Sequence, residues 1–228
     1  MKKHTARAII LSRTDYGEAD RIVRAITPDQ GKLTLMVKGS RKVKSKLAGG
    51  IELFSVNDIT FIEGRGEIGT MISSRLKEHY PNITKDIKRV ETGYEALKVI
   101  NTNTEDQPGS EYFELLEKTL RALNDDDVNV DLVQCWLPAQ IVRLAGNKPN
   151  LYEDSNGEKL QDSLKYNFSS EDMCFTQAAK GRYSSSDIKL LRLLYSGHDP
   201  SEISKIENLA TYLDKLKPLL RSINNIYL

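Results

Sequence analysis

The side chains with the clearest chemical potential lie close together in the first quarter of the chain. Residues 38–46 read Lys38-Gly39-Ser40-Arg41-Lys42-Val43-Lys44-Ser45-Lys46, and with Lys32 the stretch 32–46 holds six Lys or Arg and no Asp or Glu. Cations at that density neutralise phosphates and release condensed counterions, which gives affinity for nucleic acid without sequence information. Gly39, Gly49 and Gly50 allow the backbone to turn tightly beside a ligand strand. Arg13, Arg21 and Arg24, just upstream, are counted with the run as candidate contacts. Single strands also need stacking partners, since a base gains about 1–3 kcal/mol on an aromatic face. Tyr16, in a polar turn, and Phe54, closing the basic loop, are the candidates, whereas Phe61 falls in an alternating strand and reads as core. The competing reading is a solvated charged loop with aromatics that only pin it.

Other chemistry has little to stand on. His4, His79 and His198 lie far apart, with neither a His-x-x-x-His spacing nor a neighbouring cysteine. Cys135 and Cys174 cannot form a disulfide framework or complete a cysteine zinc site. No Walker A sequence occurs. Residues 64–69 match G-x-G-x-x-G formally, but that motif must open a helix, and here the continuation reads as a strand. Asp125-Asp126-Asp127 reads as a solvated turn, because consecutive acids project in different directions. The expectation is a non-enzymatic protein without metal or cofactor.

The elements that must position the basic run follow from periodicity. Residues 5–13, 21–27, 32–38, 56–62 and 68–74 read as strands, the clearest being Leu33, Leu35 and Val37 alternating with polar neighbours. Turn residues separate them, and five strands with one long connection at 39–50 fit a small Greek-key barrel such as the OB-fold. After Pro81 the period becomes helical, with a stripe of Ile83, Ile87, Val90, Tyr94 and Leu97. Ser110 is expected to cap a second helix, and Pro138 to kink or delay a third. A short helix capped by Ser186 or Asp187 and a last helix through residues 209–227 complete the set. The reading is an α+β chain of two domains. Residues 1–80 form the barrel, and residues 81–228 form an all-α domain with a polar insertion at about 147–180.

Composition agrees with that reading. The 228 residues are 39% hydrophobic and 29% charged, as in a globular protein. The longest aliphatic run, residues 8–11, is far short of the roughly 20 that a bilayer span needs, so a cytoplasmic location is expected. The net charge of +1 divides unevenly: residues 1–80 carry 15 Lys and Arg against 9 Asp and Glu, and the remainder 18 against 23. A polyanion should therefore meet the barrel.

Several of these residues also carry a family resemblance. Asp15-Tyr16-Gly17-Glu18-Ala19-Asp20-Arg21-Ile22-Val23, Gly31-Lys32-Leu33, Val37-Lys38-Gly39-Ser40-Arg41-Lys42 and Ser45-Lys46-Leu47-Ala48-Gly49 resemble the opening of the bacterial DNA repair proteins of the RecO family, in the same order. Arg143-Leu144-Ala145-Gly146-Asn147-Lys148-Pro149-Asn150-Leu151 looks like the helix end that precedes that family's zinc element. The resemblance implies an N-terminal OB-fold and a helical C-terminal domain. It implies a recombination mediator that binds single- and double-stranded DNA, promotes annealing and works with RecR and the tail of the single-strand binding protein, in the cytoplasm at the nucleoid. Many members carry four zinc-binding cysteines after that helix. Here Tyr152-Glu153-Asp154-Ser155-Asn156-Gly157 takes the place of the first pair and at most Cys174 remains of the second, so the zinc element is expected to be lost. The alternative is a protein-interaction adaptor whose barrel is inert.

Overall fold

A computed structural model describes residues 2–45, 47–64, 66–107 and 109–227. Five strands come first and the helices after, with a further pair of short strands among them. The chain clusters into two compact units, Met1–Asp126 and Asp127–Leu228.

In the first unit, β1 (Lys3–Tyr16), β2 (Asp20–Thr27), β3 (Gly31–Val37), β4 (Ser55–Ile62) and β5 (Ile68–His79) pair in the cyclic order β1-β2-β3-β5-β4. Every pairing is antiparallel except a short parallel seam, Thr34↔Ile68, Leu35↔Gly69 and Met36↔Thr70. The seam is tight: a Cβ on Gly69 would lie 2.9 Å from Leu35 Cδ2 and 3.0 Å from Ile62 O, so a side chain there would force its neighbours to shift. Alternation sends Ala8, Ile10, Val23, Leu35, Ile59 and Phe61 into one apolar core. Gly64, Gly66 and Glu67 fall between β4 and β5, and Ile68 and Gly69 already belong to β5, so the glycine motif does not open a helix.

The barrel ends at His79, but its compact unit includes two helices, α1 (Ile87–Asn103) and α2 (Ser110–Asn124). Asp86 caps α1 by accepting from Arg89 N–H, and Ile83 lies in a preceding 3-10 turn. The stripe expected on α1 is displaced. Ile87 and Tyr94 are exposed, and the buried face is Thr92, Gly93, Ala96, Leu97 and Ile100. Small residues win that face because the helix lies close in: a Cβ on Gly93 would sit 2.8 Å from the Phe54 ring. The outer side of β1 is fastened to α2 by charge. Arg7 Nη2 donates to Glu117 Oε1 at 2.6 Å, with its guanidinium 5.3 Å from the centre of the Phe113 ring. Arg121 donates to Glu117 Oε1 and to both carboxylate oxygens of Glu78 on β5. Ser110 is the first residue of α2, whose N-cap position is Gly109.

In the second unit, α3 (Val130–Leu144) starts from an Asn129 cap and runs through Pro138 without a delayed start. It packs against α4 (Ser185–Leu194), the short α5 (Pro200–Ile203) and α6 (Leu209–Tyr227). Gln140 Nε2 donates to Leu194 O and Ser196 O, satisfying the carbonyl end of α4. The cap of α4 is Ser184, in a reciprocal box with Asp187, rather than Ser186 or Asp187 itself.

This unit is not all-α as expected. Between α3 and α4 lies an antiparallel pair, β6 (Tyr166–Ser169) and β7 (Cys174–Gln177). Tyr166, Phe168 and Tyr183 meet Phe175 edge-on, with centroids 5.2–6.3 Å apart. That aromatic cluster gives the two short strands an apolar face to bury.

Candidate nucleic-acid interface

The basic loop leaves β3 at Val37 and is built against the β1–β2 turn. Gly39, at φ +65°, donates its N–H to Asp20 Oδ1 at 2.7 Å. Arg41 N–H donates to Ala19 O at 2.9 Å and its Nη1 to Gly17 O at 3.2 Å. Two successive turns follow, Lys42 N–H to Gly39 O and Ser45 N–H to Lys42 O. The result is a pinned base and a charged tip. Lys38, Lys42 and Lys44 are exposed and make no ion pair among the described residues, with Val43 fully exposed between the last two. Lys46 lies outside the described residues. Tyr16, one residue before Gly17, is 54% exposed, which leaves its ring open to stack.

The remaining candidates are already partnered. Arg13 donates to Glu52 Oε2 at 2.9 Å, and Arg21 to Asp15 Oδ1 at 2.9 Å. The Arg21 hydrogen bond, helped by the Arg41 and Arg13 charges, holds the Asp15 carboxyl below the usual carboxylate range. Asp15 and Arg41 also approach to 3.5 Å, so Arg41 serves the loop's anchorage. Arg24 pairs with Asp106 at 2.6 Å. Lys32 donates its ammonium to Asn101 O and Thr104 O, and desolvation, followed by the nearby Arg24 charge, lowers its pKa.

Phe54 needs a correction. It is only 4% exposed, has φ +57° and packs edge-on against Tyr94 at 5.3 Å. The left-handed backbone points its ring at α1, so it is a core residue and is not available to a base. Sequence reasoning also missed the roles of Asp15 and Asp106, which pair with these cations, and of Asp20, which accepts the Gly39 N–H and so fixes the loop. Two of them flank the β1–β2 turn, which was the one signal available.

Zinc can be tested on the donors present. The Asp154 carboxylate that stands in the family's cysteine loop accepts N–H groups from Asn156 and Glu158, at 2.8 and 3.0 Å. Cys174 is buried on β7, and burial raises its thiol pKa. Cys135 lies on α3 with its thiol pushed up to about 11, chiefly by burial. Among the described residues no three His, Cys, Asp or Glu side chains converge. This donor set does not fit a four-coordinate zinc ion.

No helix among the described residues is long and apolar enough to cross a membrane. Residues 1–80 match the family model "Recombination protein O N terminal", and residues 99–228 match "Recombination protein O C terminal". The chain is 33% identical over 155 residues to the DNA repair protein RecO of Gloeothece citriformis, covering 67% of this chain and 54% of that one. It is 32% identical over 162 residues to the protein of the same name from Dehalococcoides mccartyi, covering 70% and 63%. Against that of Alkaliphilus metalliredigens it is 28% identical over 143 residues, covering 62% and 58%. The chain thus spans between about half and just under two thirds of the length of these curated relatives.

Proposed function

The chain belongs to the RecO family, and from that premise we propose that it is a mediator of DNA repair and homologous recombination that performs no catalysis of its own. We read the five-stranded barrel as an OB-fold that binds single- and double-stranded DNA and promotes the annealing of complementary strands. In this reading the barrel works in the cytoplasm at the nucleoid, and the helices dock RecR and the tail of the single-strand binding protein so that recombinase can load.

The observation that carries the reading is the basic loop. Lys38, Lys42 and Lys44 project from a base held by Asp20, Ala19 and Gly17, and among the described residues no acid pairs with them. Such a tip attracts a phosphate backbone whatever its sequence, as a protein that anneals arbitrary strands requires. Tyr16 supplies the adjoining aromatic surface.

The test is an annealing assay with complementary oligonucleotides, one of them fluorescent, at low salt and without nucleotide. The expected result is binding of the single strand and faster annealing, both lost as salt rises. An adaptor with an inert barrel would bind neither strand and leave the annealing rate unchanged, which would overturn the proposal.

A further inference from the structure

Thr104 and Asp106, which follow α1, lie against the barrel at the start of β3. Asp106 O accepts Lys32 N–H at 2.8 Å, as a neighbouring strand would. Lys32 Nζ meanwhile donates to Asn101 O and Thr104 O, carbonyls at the negative end of α1. The Asp106 carboxylate then reaches Arg24 Nη2 at 2.6 Å. Arg24, Lys32 and Asp106 line a groove of about 500 Å³, to which Gly64 and Gly66, between β4 and β5, and Gly69, on β5, also contribute.

Two features mark this contact as a substitute for a ligand. Arg24 Nε is buried without an acceptor among the described residues, so Asp106 satisfies only part of the guanidinium. A phosphate presents two oxygens in the geometry that an arginine edge accepts, and it would engage both Nη2 and Nε. Asp106 is also 82% exposed, so water can replace its single ionic contact at small cost. Elsewhere among the described lining residues Glu63, which pairs with His4, and Glu67 disfavour an anion, and Arg24 and Lys32 are the described cations that suit one.

We propose that the Arg24–Lys32 end of this groove is a phosphodiester-binding position, and that the connecting segment is its built-in competitor. Asp106 occupies the position until a nucleic-acid backbone phosphate displaces it. The inference rests on the reading of the barrel as a DNA-binding surface and adds a second contact point beyond the lysine loop.

The test uses the full chain and a fluorescent oligothymidylate, titrated at several salt concentrations. Asp106→Asn should raise affinity about threefold to fivefold at low salt, the range that an exposed ion pair supports. The log–log salt slope should stay close to that of the unaltered chain, because the displacing phosphate makes the same contact in both. Adding Arg24→Gln should remove the gain and make the slope shallower by about 0.7, and Glu105→Gln, which neutralises the neighbouring acid, should give no gain. Circular dichroism checks that each variant folds, as substitutions at exposed Asp106 and Glu105 should allow. Unchanged or weaker binding by Asp106→Asn, an equal gain from Glu105→Gln, or a gain that survives Arg24→Gln overturns the proposal. A Lys42→Gln/Lys44→Gln variant separates the two readings. If it weakens binding while Asp106→Asn does nothing, the competitor fails and the DNA surface stands. If the unaltered chain binds no DNA, both fail.

Discussion

Replacing Phe54 distinguishes a ring that builds the fold from one that meets a base. The side chain is buried between the barrel and α1, with Tyr94 edge-on at 5.3 Å and Gly93 beneath it. Truncating a buried phenylalanine to alanine costs about 3–5 kcal/mol. For a chain of this size that is a fall in melting temperature of roughly 6–20 °C. Backbone adds a second, smaller effect: the left-handed conformation at φ +57° costs an L-residue about 1–2 kcal/mol and glycine almost nothing. Phe54→Gly should therefore be less destabilising than Phe54→Ala, although it removes more of the side chain. Gly93→Ala should cost roughly 1–3 kcal/mol by overpacking the same ring, and Phe54→Leu should suppress part of that loss. Urea unfolding followed by far-ultraviolet circular dichroism measures each term, with DNA affinity measured on the folded protein. If Phe54→Ala melts with the unaltered chain while affinity falls tenfold, the ring stacks on bases and the burial argument is wrong.

Tyr16→Ala should leave the melting temperature within error and weaken single-strand binding by at least about fivefold, because one stacked base is worth roughly 1–3 kcal/mol; equal affinity would remove it from the interface. Asp187 is pushed up by burial, but hydrogen bonds from Lys215 and Ser184 outweigh this and hold its carboxyl below the usual range. Its contribution is thus complete at neutral pH and lost as pH falls below about 4, through the lowered value. Asp187→Asn should cost about 2 kcal/mol at pH 7 and flatten the acid limb of the stability curve; an unaltered acid limb counts against the pairing. Purified protein should hold no stoichiometric zinc, and a chelator should leave its melting curve in place; one tightly bound zinc per chain would contradict the reading of the 150–177 region.

The five N-terminal strands were legible because several alternate over seven or eight residues, as Leu33, Leu35 and Val37 do on β3. The basic tip was legible because charge density needs no tertiary information. What failed depended on distant partners. The face of α1 could not be read from its apolar residues, since the close approach of Phe54 requires a small residue at Gly93, while Ile87 and Tyr94 remain exposed. Strands β6 and β7, four residues each, are too short to produce a period, and Phe175 organises them only once the fold brings three other rings to it. Candidate arginines looked free because their acids lie elsewhere in the chain: Glu52 for Arg13 and Asp106 for Arg24. The same long-range pairs, Arg7–Glu117 and Arg121–Glu78, carry the first compact unit through α2 to Asp126, well beyond the last barrel strand.

The central claim, that the exposed lysines of the 38–44 loop hold a phosphate backbone, is tested most directly by the salt dependence of single-strand binding. Each phosphate contact contributes roughly 0.7 to the log–log slope, so the Lys38→Gln/Lys42→Gln/Lys44→Gln variant should have a slope shallower by about 2. Its fold should be unaffected, because none of the three makes an ion pair among the described residues. A slope equal to that of the unaltered chain would contradict the account.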